Sequence, residues 1–207
     1  MIILVPSWFF GFDSAMYILS AAIAFLVSFN ALKLYNITSK KSHFYLHASF
    51  AVLGMGLLTL GITTLLTLST SSASVFDDGA AWADDFGFWI YYASSLFAYG
   101  LLAVMYLPEK LKFPIFLPFW SIGFPYFQIL SIFILSYVIF KSAANYALNR
   151  NSNALLVMLA FALMGAYHLL SLFTSQNPFV YVVAQISLLS GFVSLLVMLT
   201  RVNKIER

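Results

Sequence analysis

Histidine is the residue type in this chain best suited to hold a metal ion or a haem, and the chain has three. His43 and His47 are four residues apart, so on a helix they lie on one face, where two imidazoles can share a metal. Such a site needs a third and often a fourth ligand. His168 lies in a distant apolar segment, and the lack of cysteine excludes thiolate ligands and disulfides. We therefore expect no cofactor, and His43 and His47 are where a metal would be sought.

The second group of residues that could do chemistry is acidic. Four aspartates, Asp77, Asp78, Asp84 and Asp85, lie in the stretch DDGAAWADD. Clustered carboxylates can bind calcium, but this stretch lacks the spacing of an EF-hand loop. Its composition is typical of a solvated loop outside the membrane, and we predict that role for it.

The composition indicates a membrane protein. Of the 207 residues, 62% are hydrophobic and only 8% are charged, and the mean hydropathy is +0.94. A soluble domain is roughly half apolar and about a quarter charged. The net charge of +3 comes from a few loop residues, so we expect no nucleic-acid partner. The partner that the composition predicts is the lipid bilayer.

Six apolar segments are long enough to cross a membrane as helices, which takes about 20 residues each. The predicted spans are 15–35, 44–68, 86–107, 126–140 with an extension to 146, 153–174 and 178–200. Uninterrupted apolar runs do not show the alternation of barrel strands. The predicted fold class is therefore an all-α polytopic integral membrane protein, built as a helical bundle. No charged residue lies in the middle of a span, which argues against a proton relay of carboxylates.

A short pattern, P-x-W-x-x-G-F, occurs twice. It includes Pro6, Trp8 and Gly11 in one place and Pro118, Trp120 and Gly123 in the other, each time before an apolar segment. Proline and glycine interrupt helices, and tryptophan favours the headgroup level of a membrane. Each motif therefore predicts a short broken or re-entrant element, with an interfacial anchor as the simpler alternative.

Further matches follow the motif in the same order along the chain. They include ILS at 18–20 and 129–131, Tyr35 and Tyr146, Gly54 and Gly165, and Ser94 and Ser187. Collinear matches of this kind indicate internal duplication. We predict two tandem three-helix membrane repeats, 1–107 and 126–207, joined by a linker or short broken crossing at 108–125.

Charge and length favour different orientations of the two repeats. The 28 uncharged residues between Lys112 and Lys141 are comfortable for one crossing but short for two. If residues 108–125 cross the membrane, the repeats are parallel and all ten lysines and arginines face one side. If they do not cross, the repeats are inverted and these residues divide evenly. The positive-inside rule favours seven crossings, in a three-plus-one-plus-three order with a short fourth, over six. The chain would then lie in the cell membrane with its amino terminus outside and its carboxyl terminus in the cytoplasm.

Polar residues and glycines within the spans are the candidates for a solute pathway. They are Asn30, Gln128, Gln185, Gly54 and Gly165. They favour a transporter or channel-like protein for a small neutral or amphipathic solute. The alternative is a non-transporting subunit, a sensor or an assembly partner of a larger membrane complex. An enzyme ranks below both, and the sequence leaves homo-oligomer and membrane-complex partners open.

Small residues recur on the third helix of each predicted repeat. Ser94 and Ala98 match Ser187 and Gly191, a small-x-x-x-small spacing that lets helices approach closely. We predict that these faces pack the two third helices against each other.

Overall fold

The computed structural model of the protein describes residues 7–71, 78–107, 124–174 and 177–205. In these ranges the chain forms six helices: α1 (Ser7–Thr38), α2 (Lys41–Ser71), α3 (Asp78–Tyr106), α4 (Phe124–Asn149), α5 (Ser152–Ser171) and α6 (Pro178–Ile205). Each is long and apolar enough to cross a membrane, and each overlaps a predicted span. The prediction of an all-helical fold is confirmed for the described residues, and six long apolar helices fit a multi-pass membrane protein.

Helix α1 extends beyond its predicted span and includes most of the first P-x-W-x-x-G-F motif. α1 begins at Ser7 and runs without a break through Trp8 and Gly11, so these residues form its first turns rather than a separate broken element. A helix tolerates one glycine at a cost of about 1 kcal/mol, and Gly11 has open space around it. Pro6, Pro118, Trp120 and Gly123 lie outside the described residues.

The predicted acidic loop is also helical for most of its length. α3 begins at Asp78 and includes Asp84 and Asp85 in its first turns, whereas Asp77 lies outside the described residues. Carboxylates near the first turn of a helix are favourable because the helix dipole is positive there. The prediction of a loop over this stretch is therefore wrong from Asp78 onward.

The helices form a ring in chain order, closed by contact between α6 and α1. Consecutive helices α3 and α4 run in the same direction. The Phe127 ring near the start of α4 stacks on Tyr92 in the middle of α3, with centroids 4.0 Å apart. Further along both, the Tyr137 hydroxyl donates to the Tyr106 carbonyl at 3.4 Å. The end of α3 and the start of α4 therefore lie at opposite ends of the bundle.

Helices α1 and α6 are likewise parallel. The hydroxyls of Tyr17 and Tyr181 are 2.8 Å apart near the start of both helices. Near their ends, the Asn203 amide donates to the Asn30 side-chain oxygen at 3.1 Å. Four helices, α1, α3, α4 and α6, thus run one way, and α2 and α5 run the other way.

Charged residues separate between the two ends of this bundle. We call the end at which α1, α3, α4 and α6 finish the basic end. It carries every lysine and arginine in the described ranges: Lys33, Lys40, Lys41, Lys141, Arg150, Arg201 and Lys204. The opposite, acidic end carries every described aspartate: Asp13, Asp78, Asp84 and Asp85.

The turns α1–α2 and α4–α5 have the same backbone geometry. Ser39 and Arg150 are the two non-glycine residues with positive φ in the described ranges, at 52° and 47°. The amide of each donates to a tyrosine carbonyl four residues earlier, Tyr35 at 2.7 Å and Tyr146 at 2.8 Å. This is a left-handed helix cap. The two turns are 111 residues apart, the same offset that separates ILS at 18–20 from ILS at 129–131.

Buried positions recur at the same offset. Buried positions 17, 20, 24, 27 and 31 of α1 correspond to buried positions 128, 131, 135, 138 and 142 of α4. Buried positions 49, 50, 53, 57 and 60 of α2 likewise correspond to buried positions 160, 161, 164, 168 and 171 of α5. For α3 and α6 the offset is 93, as between Ser94 and Ser187, and positions 91, 95, 98, 99 and 102 match 184, 188, 191, 192 and 195. The first three helices therefore bury the same faces as the last three.

The small-residue faces pack differently from the prediction. A Cβ added at Gly191 would lie 2.9 Å from the Ala160 carbonyl oxygen on α5, and Ser187 donates to the Leu163 carbonyl on the same helix at 3.0 Å. Ser94 on α3 lies against Gly56 on α2. Each third helix therefore uses this face against the second helix of its own half, because the ring places α3 beside α2 and α6 beside α5.

Helix direction can be tested with single cysteines in this cysteine-free chain. We expect Ser39→Cys and Asn149→Cys, at the basic end, to react with a membrane-impermeant maleimide from one side and Asp85→Cys from the other. Asn149 is preferred to Asn151, whose side chain caps α5 by accepting from the Ala154 amide. Reaction of Ser39→Cys and Asn149→Cys from opposite sides would contradict the parallel direction and establish inverted halves.

The contact at Gly191 predicts a large effect of a side chain there. Gly191→Leu should destabilise the protein by about 1–3 kcal/mol, because a backbone carbonyl has to move. The matched control is Gly100→Leu on α3, where an added Cβ meets nothing within 4 Å. This control should be neutral or slightly stabilising. Equal melting temperatures of the two variants in detergent would overturn the packing assignment.

Candidate functional site

A cavity of about 230 Å³ lies inside the acidic half of the bundle. Its described lining is Asp13, Tyr17, Thr64, Phe88, Tyr91, Tyr92, Gln128, Tyr167, Ser171, Thr174 and Tyr181. All six helices or the residues that directly follow them contribute, because α1, α3, α4 and α6 begin at this end and α2 and α5 finish there. Five of the eleven residues are tyrosines.

The cavity reaches from the rim of the bundle to its interior. Asp13, Thr64 and Tyr92 on the rim are half-buried, whereas Gln128 in the interior is 2% exposed. The cavity is therefore lined both by half-buried residues and by a side chain in the interior of the bundle.

One wall of the cavity is a hydrogen-bonded group that joins α1 to α6. The Tyr181 hydroxyl accepts from the Gln185 amide at 2.8 Å, and the Asp13 side chain lies near it. The Tyr17 hydroxyl completes the group at 2.8 Å from the Tyr181 hydroxyl. Asp13 and Tyr17 are four residues apart, so one helix face carries both.

The opposite wall brings α3 close to α5. The Tyr91 hydroxyl donates to the Tyr167 hydroxyl at 3.3 Å. The Tyr92 ring has one face covered by Phe127, so only its other face is available to a ligand. This wall therefore presents aromatic rings whose hydroxyls are already fixed in position.

Beneath the cavity lies a second polar group centred on His168. Its Nδ1 is 2.6 Å from Gln128 Oε1 and its Nε2 is 2.7 Å from the Tyr99 hydroxyl. An amide oxygen only accepts, so Nδ1 carries the proton, and in the neutral ring Nε2 accepts from Tyr99. His168 and Tyr99 are fully buried. These bonds connect α3, α4 and α5 and use both ring nitrogens of His168.

Closer to the basic end the bundle centre is filled by apolar side chains. Phe50 on α2 and Phe192 on α6 are fully buried, and their rings meet edge to face with centroids 5.4 Å apart. Leucines from the neighbouring turns, including Leu57 and Leu188, are buried beside them. The cavity is therefore closed toward the basic end in this structure.

The five residues proposed from sequence to line a solute pathway lie in three different places. Gln128 lines the cavity, and Gln185 is one hydrogen bond away through Tyr181. Asn30 lies at the basic end, paired with Asn203. Gly54 and Gly165 lie at helix contacts, where an added Cβ would meet Phe25 on α1 and Ile139 on α4 respectively.

The histidine pair lies at the basic end, away from His168. Nδ1 of His43 is 2.8 Å from the Thr38 hydroxyl, and Nδ1 of His47 is 2.8 Å from the Ser28 hydroxyl. Among the described residues, no group of three histidine, cysteine or acidic residues is arranged to hold a metal ion. The two imidazoles thus join the start of α2 to the end of α1.

Sequence reasoning missed Asp13 and the cavity tyrosines. Asp13 was placed just outside a span starting at 15, although α1 begins earlier and includes it. A signal was present in the spacing, since Asp13 and Tyr17, Tyr167 and Ser171, and Tyr181 and Gln185 are each four residues apart. Tyrosine is common at membrane interfaces, so its number alone was uninformative.

The chain matches no protein-family model, no curated protein and no solved structure. The cavity and its hydrogen bonds are therefore the basis on which a function can be inferred.

The His168 group predicts a measurable coupling between two helices. His168→Leu should be destabilising because it leaves buried polar atoms of Gln128 and Tyr99 without their partner, at about 1–3 kcal/mol for each group. Tyr99→Phe alone should cost less. The double variant should cost less than the sum of the two by about 1 kcal/mol, the scale of coupling between helices in membrane proteins. Additive effects on unfolding in detergent would contradict the assigned bonds.

Proposed function

We propose that this chain is a transporter-like membrane protein that binds a small solute in the tyrosine-lined cavity. The observation that carries the proposal is a cavity that penetrates an otherwise apolar bundle and is lined by carboxylate, amide and hydroxyl groups. Polar groups within a membrane bundle are costly to bury and generally mark a solute or ion site. A small polar or amphipathic molecule is what such a lining accommodates.

The size of the cavity fits a small molecule. Pockets for drug-sized ligands are about 300–1,000 Å³, and this cavity, at about 230 Å³, is below that range. Water takes up about 30 Å³ per molecule in the liquid, so the cavity corresponds to a solute of only several heavy atoms.

The proposed architecture is a pair of parallel repeats around an axis along the membrane normal. It is supported by the equivalent turns at Ser39 and Arg150 and by buried faces that recur at the offsets found in the sequence. Parallel repeats are one of the two arrangements known among transporters. In this arrangement the α1–α6 and α3–α4 pairs are equivalent, and both are parallel.

A seventh crossing belongs to the same proposal. The end of α3 and the start of α4 lie at opposite ends of the bundle, so residues 108–125 would return the chain across the membrane. The separation of charge favours the basic end as the cytoplasmic side. The amino terminus would then lie outside, and the cavity would be accessible from outside the cell.

Transport requires access from the second side, and the two halves offer a way to provide it. One cavity wall joins α1 to α6 through Tyr17 and Tyr181, and the other joins α3 to α5 through Tyr91 and Tyr167, so each wall includes a contact between the proposed repeats. Rocking of one repeat against the other would open the apolar centre around Phe50 and Phe192. The present structure would then be the outward-accessible state of the cycle.

A non-transporting subunit is the alternative class of function. It would be favoured by a dry centre filled along its whole length, with apolar faces used for partner chains. The polar cavity favours solute binding over this alternative.

The proposal can be tested without knowing the solute. Purified protein in detergent is titrated calorimetrically with a panel of small cationic, neutral and anionic molecules, and those that bind are then tested for uptake into proteoliposomes. We expect at least one class to bind. Thr64→Trp should abolish binding, because Thr64 lines the cavity and an indole would fill it.

The matched control is Ile62→Trp on the same helix, at a side chain that is 46% exposed. It adds the same indole on the outer surface and should leave binding unchanged. Absence of binding in all three classes, or binding that survives Thr64→Trp, would overturn the proposed function and favour the subunit.

A further inference from the structure

The cavity lining contains a single carboxyl group and no basic group among its described residues. Asp13 is the one acidic residue of the eleven, which include no lysine, arginine or histidine. Charges interact more strongly in the interior of a protein than in water, because the effective dielectric constant is lower. A carboxyl group with no basic side chain beside it in the lining therefore favours a cation over an anion.

The aromatic part of the lining acts in the same direction. Tyr17, Tyr91, Tyr92, Tyr167 and Tyr181 are joined by Phe88, so six of the eleven residues are aromatic. The face of an aromatic ring is electronegative and attracts ammonium groups within about 6 Å of its centroid. Aromatic cages of this kind are a known way to bind alkylated ammonium groups.

The hydroxyl groups of the lining are arranged mainly as acceptors. Thr64, Ser171 and Thr174 each donate to a carbonyl in their own helix or in the turn that follows it. Tyr91 donates to Tyr167, and one of the Tyr17 and Tyr181 hydroxyls donates to the other. The lone pairs that remain can accept hydrogen bonds from an N–H or O–H group.

The long-range field would bring cations to the rim. The exposed Asp85 lies at the same end as Asp13, and the described lysines and arginines lie at the other. Charge of one sign near an opening raises the local concentration of ions of the opposite sign and their rate of arrival.

We infer that the solute is a small organic cation, an alkylammonium whose charged group lies near Asp13 and against the tyrosine rings. This inference rests on the proposed function and specifies its substrate class. An alkylammonium is amphipathic, since its charge is surrounded by methyl or methylene groups. The carboxylate and the ring faces suit the charge, and the aromatic surface suits the alkyl groups.

The test compares molecules that differ only in charge. The full-length protein in detergent is titrated with tetramethylammonium, choline and methylammonium. Choline is matched with its neutral carbon isostere, in which a tert-butyl group replaces trimethylammonium, and with the corresponding tert-butyl carboxylate. We expect choline to bind at least about tenfold more tightly than the neutral isostere, which corresponds to about 1.4 kcal/mol, and the carboxylate not to bind.

Two variants identify the groups responsible. Asp13→Asn should reduce the affinity for choline by about tenfold and leave the neutral isostere unchanged, whereas Asp85→Asn, an exposed carboxylate outside the lining, should change neither. Tyr92→Phe retains the ring and should retain choline binding, and Tyr92→Leu should weaken it several-fold. The wild-type charge series stands even if Asp13→Asn fails to fold.

The possible results separate this inference from the function on which it rests. Equal or tighter binding of the neutral isostere or the carboxylate overturns the cation, while the proposed solute site survives. The cation is also overturned, and the solute site survives, if none of the three cations binds but a molecule of another class binds and its binding is lost in Thr64→Trp. Failure of every class overturns both. Preference for the cation that is retained in Asp13→Asn overturns the role of the carboxylate.

Discussion

Polar side chains within an apolar bundle have to find their partners inside the protein, and this constraint organises the described structure. The lipid that surrounds the helices offers no hydrogen bonds. Tyr17 on α1 therefore bonds to Tyr181 on α6, and His168 on α5 bonds to residues on α3 and α4. These bonds form a hydrogen-bonded layer that links α1 to α6 and ties α3 and α4 to α5. Tyr17, Tyr181 and Gln128 of this layer also line the cavity.

The layer also makes the two proposed repeats unequal. At the offsets of the duplication, His168 corresponds to Leu57, Tyr99 to Phe192 and Gln128 to Tyr17. All of these residues are buried. The positions that hold His168, Tyr99 and Gln128 at one interface between the halves hold Leu57, Phe192 and Tyr17 at the other. Asp13 would match Phe124 or Pro125, which have no charge. On the proposed duplication, the repeated halves would account for the frame of the bundle, and divergence of a few buried positions would account for the difference between the two interfaces.

Much of the frame could be predicted from the sequence, because span length and charge separation are local properties of the chain. The six helices were found in this way, and the turns at Ser39 and Arg150 are 111 positions apart, as are several of the sequence matches. The site was less accessible for a physical reason. Helices apolar on every side do not reveal from their pattern which face is turned inward. Tyr17 and Tyr181 are 164 positions apart, and only the closed ring brings them together.

The position of the cavity relative to the two halves bears on how solute binding could drive a change of state. Asp13 and Tyr17 belong to the first half, and Tyr181 belongs to the second. A cation beside Asp13 would contact side chains of both halves, next to the hydrogen bond between Tyr17 and Tyr181. A ligand shifts an equilibrium only by its difference in affinity for the two states. Because this bond joins the halves directly, replacing it with contacts through the solute changes the free energy of their relative position, which transport requires and simple storage of a ligand does not.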